Sequence, residues 1–108
     1  HCAVASGMAE RLSREPGVAI VNDVVLNQFM VRFGSGMEPE EGDAVTQATI
    51  KRIQLDGVCF AGGALWRGRQ VMRVSVIGWQ TNAEEGARST DAMIGAYRAV
   101  QASGARGN

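Results

Sequence analysis

The run CFAGGALWRGRQVMRVSVIGWQT, residues 59–81, limits this chain more than any other feature. Two arms of strand-forming residues flank Trp66-Arg67-Gly68-Arg69, the composition of a tight turn between antiparallel strands. In the second arm Met72, Val74 and Val76 alternate with Arg73, Ser75 and Ile77, so one phase faces a core and the other carries a guanidinium. Arg73, in the middle of the most strand-like run of the chain, must be solvated, paired or bound to something. Ile77 and Trp79 share its phase. That face is therefore not simply polar, as expected of a surface that docks on another.

The rest of the chain supplies partners for this hairpin. Cys2, Ala5, Met8, Ala9 and Leu12 recur at helical spacing, and Pro16-Gly17 ends that helix. VAIVN is a short β-branched run. In NQFMVRFG, Phe29, Val31 and Phe33 alternate with Gln28, Met30 and Arg32, the pattern of a half-buried strand. GSGMEPEEGD is a loop of small and acidic residues. Asp43 is expected to cap a second helix, along which Val45, Thr49 and Ile53 repeat, with Gly57 as its C-terminal cap. TNAE, residues 81–84, is a capping box that starts a third helix. Thr90, Met93, Ile94, Tyr97 and Val100 form its buried stripe. The order helix, strand, strand, helix, strand, strand, helix predicts a two-layer α/β (α+β) sandwich: a mostly antiparallel sheet of about four strands with helices on one face. Residues 1–102 form one domain and 103–108 a fraying tail.

Composition narrows the function classes. Eleven basic residues balance eleven acidic ones, so net charge gives no push toward nucleic acid or an anionic membrane. No apolar run approaches the length of a membrane span. Cys2 and Cys59 form no CxxC and are expected to be reduced thiols in a cytoplasmic protein. The chain opens His1-Cys2-Ala3 with no initiator methionine and already reads as the inside of a helix, as expected of a piece of something longer.

Several motifs fail on inspection. GALWRGRQ places Gly63 and Gly68 at phosphate-loop spacing, but Arg69 and Gln70 stand where lysine and a hydroxyl residue are needed. A strand also follows where that loop needs a helix N-terminus. His1 is the sole histidine, so neither a metal cluster nor a serine–histidine pair is available. Asp56, Glu84 and Glu85 sit at helix ends, where carboxylates cap or complement the dipole. Lys51, the sole lysine, precedes Arg52 on a helix whose other face is apolar, so it reads as solvated and not as an imine-forming lysine. Gly62 and Gly63 read as backbone geometry, a bulge or a close approach of chains.

VVLNQFMVRFG, the 59–81 hairpin and the closing helix AEEGARSTDAMIGAYRAV together resemble the C-terminal small domain of pyridoxal-phosphate-dependent amino-acid decarboxylases. This is the aromatic and glutamate-type group within the aspartate-aminotransferase superfamily of folds. The resemblance runs from the first helix to about Val100, and its specificity lies in the ordered combination. It implies a carboxy-lyase in which a large N-terminal domain holds the cofactor through a lysine imine, a stacked histidine and an aspartate on the ring nitrogen. None of these has a counterpart here, so the chain alone is expected to be inactive and to bind no cofactor.

The small domain, by the same resemblance, closes the active site and lines part of the pocket for the amino-acid substrate, and the parent enzyme is a homodimer. In glutamate-type members an arginine in the strand before the last helix contacts the substrate carboxylate. Arg73, in VMRVSV, matches that position, and a guanidinium grips a carboxylate through two parallel hydrogen bonds. Its other reading is a structural pairing with the large domain. Trp79, Thr81 and Asn27 lie near enough to border the pocket, although packing explains Trp79 and helix capping Thr81. The sequence departs from the animal decarboxylases around Gly62-Gly63, which leaves the substrate open. An aminotransferase small domain and a free-standing module for metabolite binding or oligomerisation remain alternatives.

Overall fold

A computed structural model describes residues 3–21, 28–55, 61–75 and 83–102. Its elements follow the expected order: α1 (Ala3–Ser13), β1 (Val18–Ile20), β2 (Gln28–Phe33), α2 (Pro39–Leu55), β3 (Ala61–Trp66), β4 (Arg69–Ser75) and α3 (Ala83–Ala102). The strands form one open sheet in the order β1-β2-β4-β3, and every neighbouring pair is antiparallel. No described helix is long and apolar enough to cross a membrane. Gly57, the Thr81 end of the capping box and the 103–108 tail lie outside the described residues.

Periodicity explains the packing. Phe29, Val31 and Phe33 of β2, with Met72 and Val74 of β4, are fully buried against the helices. Ala5, Met8, Ala9 and Leu12 of α1 bury the predicted stripe, as do Val45, Thr49 and Ile53 of α2. From α3 come Thr90, Met93, Tyr97 and Val100. The Tyr97 ring stacks at a tilt on Phe33, with centroids 5.3 Å apart. Gly17 sits at φ 85°, and a Cβ there would collide with the Tyr97 hydroxyl. Glycine thus ends the turn after α1 for two reasons, backbone hand and space. Glu15, in that turn, accepts two hydrogen bonds from Arg98 and ties α1 to α3.

β3 and β4 join through a two-residue turn. Arg67 and Gly68 both take positive φ, 51° and 78°, the primed geometry that matches the twist of a hairpin. In such a hairpin Trp66 and Arg69 exchange both backbone bonds and Leu65 and Gln70 exchange none. The amide and carbonyl of Gln70 therefore point away from β3, toward β2.

There the sheet lacks a rung. β2 and β4 pair from Gln28↔Ser75 to Val31↔Met72, and the next bonded pair in that register would be Phe33 with Gln70. α2 stands in for it. Thr46 Oγ1 accepts from the Phe33 amide (3.2 Å) and donates to the Phe33 carbonyl (2.9 Å). Asp43, three residues earlier on the same helix, accepts from the Gln70 amide (3.0 Å). Arg32 donates to the Gln70 carbonyl (2.8 Å), to the Pro39 carbonyl (3.0 Å) and to the Asp43 carboxylate.

Asp43 is therefore no N-cap, which corrects the sequence expectation. α2 begins four residues earlier, because Pro39 suits the first helical position and Glu40 and Glu41 complement the dipole. Asp43 is left free to face the sheet.

Two predictions follow from this junction. A Cβ at Gly42 would collide with Arg32 Nη2, and Gly34 carbonyl oxygen lies 3.3 Å away. Gly42→Ala should lower stability in urea by about 1–3 kcal/mol, the range for partly buried polar groups losing their partners, despite alanine's helix advantage of about 1 kcal/mol. A stability gain would disprove the fit. The Asp43 carboxyl is also held below its ordinary value, first by the Arg32 hydrogen bond and then by the Gln70 amide. A carboxyl depressed in the folded state contributes stability that is complete above its unfolded value, about 3.9, and lost as pH falls through the folded one. Asp43→Asn should flatten that acid limb in pH-dependent unfolding. Glu15, depressed chiefly by Arg98, has the same sign, so Glu15→Gln is the comparison that isolates the Asp43 share.

Candidate functional site

The face of the sheet opposite the helices carries Arg73. In the register Arg73 lies between Met30 of β2 and Gly62 of β3. Its flanks along β4 are Val71, fully buried, and Ser75, half-buried. Backbone pairing continues on both sides, so the ladder fixes the Arg73 Cα while the side chain stands exposed.

Among the described arginines, Arg73 and Arg52 are the two that face neither a carboxylate nor an aromatic ring. Arg11, Arg14, Arg32, Arg69, Arg88 and Arg98 each face a carboxylate. Arg67 lies 4.5 Å over the Trp66 ring, a cation–π contact. Arg52, exposed in the last turn of α2, complements the helix dipole. Among the described residues no hydrogen bond or ion pair engages Arg73, and cross-strand pairing with a carboxylate is excluded there because its neighbours are Met30 and Gly62. An exposed guanidinium with five donors on a rigid strand can take a planar anion through two parallel bonds.

Gly62 and Gly63 need a different account from the one the sequence invited. The β3–β4 register is unbroken from Ala61↔Val74 to Trp66↔Arg69, so there is no bulge. A Cβ at Gly62 would meet nothing within 4 Å, and one at Gly63 only Ile50 Cδ1 at 3.9 Å, so within the described residues no chain approaches closely.

The remaining candidates divide simply. Lys51 is exposed on α2, as expected. Glu84 and Glu85 lie in the first turn of α3, where Glu84 pairs with Arg88. Asn27, Asp56, Cys59, Ile77, Trp79 and Thr81 lie outside the described residues. Among the described residues no group of histidine, cysteine or carboxylate side chains could hold a metal ion. A second polar surface lies in the groove between α1 and α3, lined by Arg11, Arg14, Glu15, Asp91 and Arg98. Its charges already satisfy one another, Arg11 with Asp91 and Arg98 with Glu15. The junction of Arg32 with Asp43 escaped sequence reading, because Arg32 occupies the polar phase of its strand like any solvated residue.

No family model and no curated protein sequence matches this chain. Solved structures do. Oryza sativa TDC, solved with PLP and tryptamine, superposes with a TM-score of 0.82 at 13% identity, over 91% of this chain and 22% of that one. Catharanthus roseus tryptophan decarboxylase in complex with L-tryptophan gives 0.80 at 14% identity, over 91% of this chain and 20% of that one. The glutamate decarboxylase domain of a Vibrio parahaemolyticus diaminobutyrate-pyruvate transaminase and L-2,4-diaminobutyrate decarboxylase gives 0.70 at 9%, over 90% and 20%. The chain thus spans about a fifth of the length of these proteins, and it has the fold of the small domain of pyridoxal-phosphate-dependent decarboxylases.

Proposed function

We propose that this chain works as the C-terminal small domain of a pyridoxal-phosphate-dependent amino-acid decarboxylase, a cytoplasmic homodimer. In this reading it closes the active site and Arg73 binds a carboxylate of the substrate. The observation that carries it is Arg73 itself: exposed, rigidly held and without a partner among the described residues, on a fold shared with decarboxylases. A guanidinium so placed suits a carboxylate better than an ammonium would, because its planar fork forms two bonds at once.

The residues of this chain do not fit the cofactor. An imine-forming lysine needs a desolvated setting that lowers its pKa, and Lys51 is exposed on a helix. The proposal therefore assigns cofactor binding to a large domain, whose bound cofactor supplies the electron sink for loss of carbon dioxide. What this chain adds is orientation of the substrate and exclusion of water.

Three measurements test the reading. Pyridoxal phosphate titrated into this chain should give no saturable imine absorbance band; such a band would overturn the division of labour. The full-length gene product should release carbon dioxide from at least one of the proteinogenic amino acids or L-2,4-diaminobutyrate, and no turnover on that panel would overturn the decarboxylase reading. Arg73→Met in the same protein should change stability by less than about 0.5 kcal/mol, as a surface substitution does. It should nonetheless lower kcat/KM by about 2–4 kcal/mol of transition-state stabilisation, the scale for a lost charged hydrogen-bond partner. Wild-type kinetics in that variant would refute the role of Arg73.

A further inference from the structure

Gly62 lies directly opposite Arg73 in the β3–β4 register. Glycine in a strand interior weakens it, since it packs nothing and its backbone is freer in the unfolded chain. Three structural reasons ordinarily account for one. A left-handed backbone is the first, but the positive-φ glycines here are Gly17, Gly34, Gly36 and Gly68. A bulge is the second, but pairing runs unbroken through this position. Close approach of another group is the third, but a Cβ at Gly62 meets nothing within 4 Å among the described residues. Gly17 and Gly42 make the contrast, since a Cβ at either would collide with a neighbour.

What the missing side chain leaves is space beside a guanidinium. Residues directly opposite on an antiparallel pair have Cβ atoms about 4.5–5.5 Å apart, close enough for a branched side chain at 62 to lie along the arginine. On the other flank Met30 already occupies the matching position. Among the described residues, then, the β2 neighbour of Arg73 carries a side chain and the β3 neighbour carries none.

We infer that Gly62 is a specificity-determining position. It keeps the β3 flank of Arg73 open, so that a carboxylate enters the plane of the guanidinium from that side and the group attached to it lies over β3. This rests on the reading of Arg73 as a carboxylate-binding residue and adds the direction of approach. A side chain at 62 would act through Arg73, by covering its donors, and not through the stability of the sheet.

The test is a double-mutant cycle in the full-length gene product, using the amino acid it decarboxylates fastest, with Gly62→Ala, Gly62→Val, Arg73→Met and the Gly62→Val/Arg73→Met pair. Gly62→Val should leave the melting temperature unchanged or raised, because a β-branched residue suits an open strand position. It should raise KM at least tenfold with a smaller effect on kcat, Gly62→Ala falling between it and wild type. In the Arg73→Met background the same substitution should change KM less than twofold, since its target is already gone. Wild-type KM in Gly62→Val, with Arg73→Met impaired, would overturn the inference and leave the role of Arg73 standing. Equal losses in both backgrounds, or a marked fall in melting temperature, would also overturn it. Wild-type kinetics in Arg73→Met would remove the reading of Arg73 and this inference together.

Discussion

Two antiparallel strands that stop pairing leave backbone amides and carbonyls aimed at one another across a widening gap. β2 and β4 part in this way after Val31 and Met72. The groups stranded there belong to Phe33 and Gln70, and each buried group left without a partner would cost about 1–3 kcal/mol. Thr46, Asp43 and Arg32 take all four. α2 is thus bound to the two central strands through hydrogen bonds as well as through its apolar stripe. Gly42 is part of the same arrangement, since the guanidinium occupies the volume its side chain would fill.

This junction also fixes which way β4 faces. A slip of one residue in pairing turns every side chain of a strand to the other face. In β4 that would drive Arg73 into the helix layer and expose Met72 and Val74. Apolar burial opposes the slip, and so does Asp43, which finds an inward-pointing amide at Gln70 but not at its immediate neighbours in the hairpin. The placement of Arg73 on the open face therefore depends on residues at the far end of its own strand.

Much of this architecture was legible in the sequence, and the reason is periodicity. Alternation in 28–33 and from Met72 onward in β4, with stripes at helical spacing in α1, α2 and α3, marked the elements and their helix-facing sides, although Val71, on the Arg73 phase, is buried as well. The Arg67-Gly68 turn was legible because few residue pairs tolerate its backbone. Interactions between elements were not. Arg32 and Arg73 each occupy the polar phase of an alternating strand, yet one is clamped by Asp43 while the other has no partner among the described residues. Nothing in either local pattern separates them. Asp43 misled for a related reason: aspartate before an apolar run is a good cap, and only the tertiary fold shows that Pro39 has already started the helix. Solved folds matching at 9–14% identity make the same point, since patterns define this fold and individual residues define its site.

The exposure of Arg73 sets a condition on any role it has. An ion pair in open water contributes about 0–1 kcal/mol, because the solvent screens it and both partners lose freedom. A carboxylate binding to this guanidinium on a bare sheet would be held hardly better than by water. The same two bonds become strong only where water is excluded, and there the fixed backbone on both sides of Arg73 becomes an advantage, since the donor is already in place. The sheet supplies the orientation and cannot supply the dryness. In the proposed arrangement closure of this domain against a large domain supplies it, and binding of the carboxylate is then coupled to that closure. In that arrangement the site is strong only as a shared one, with its arginine on this chain and the cofactor on the domain it closes against.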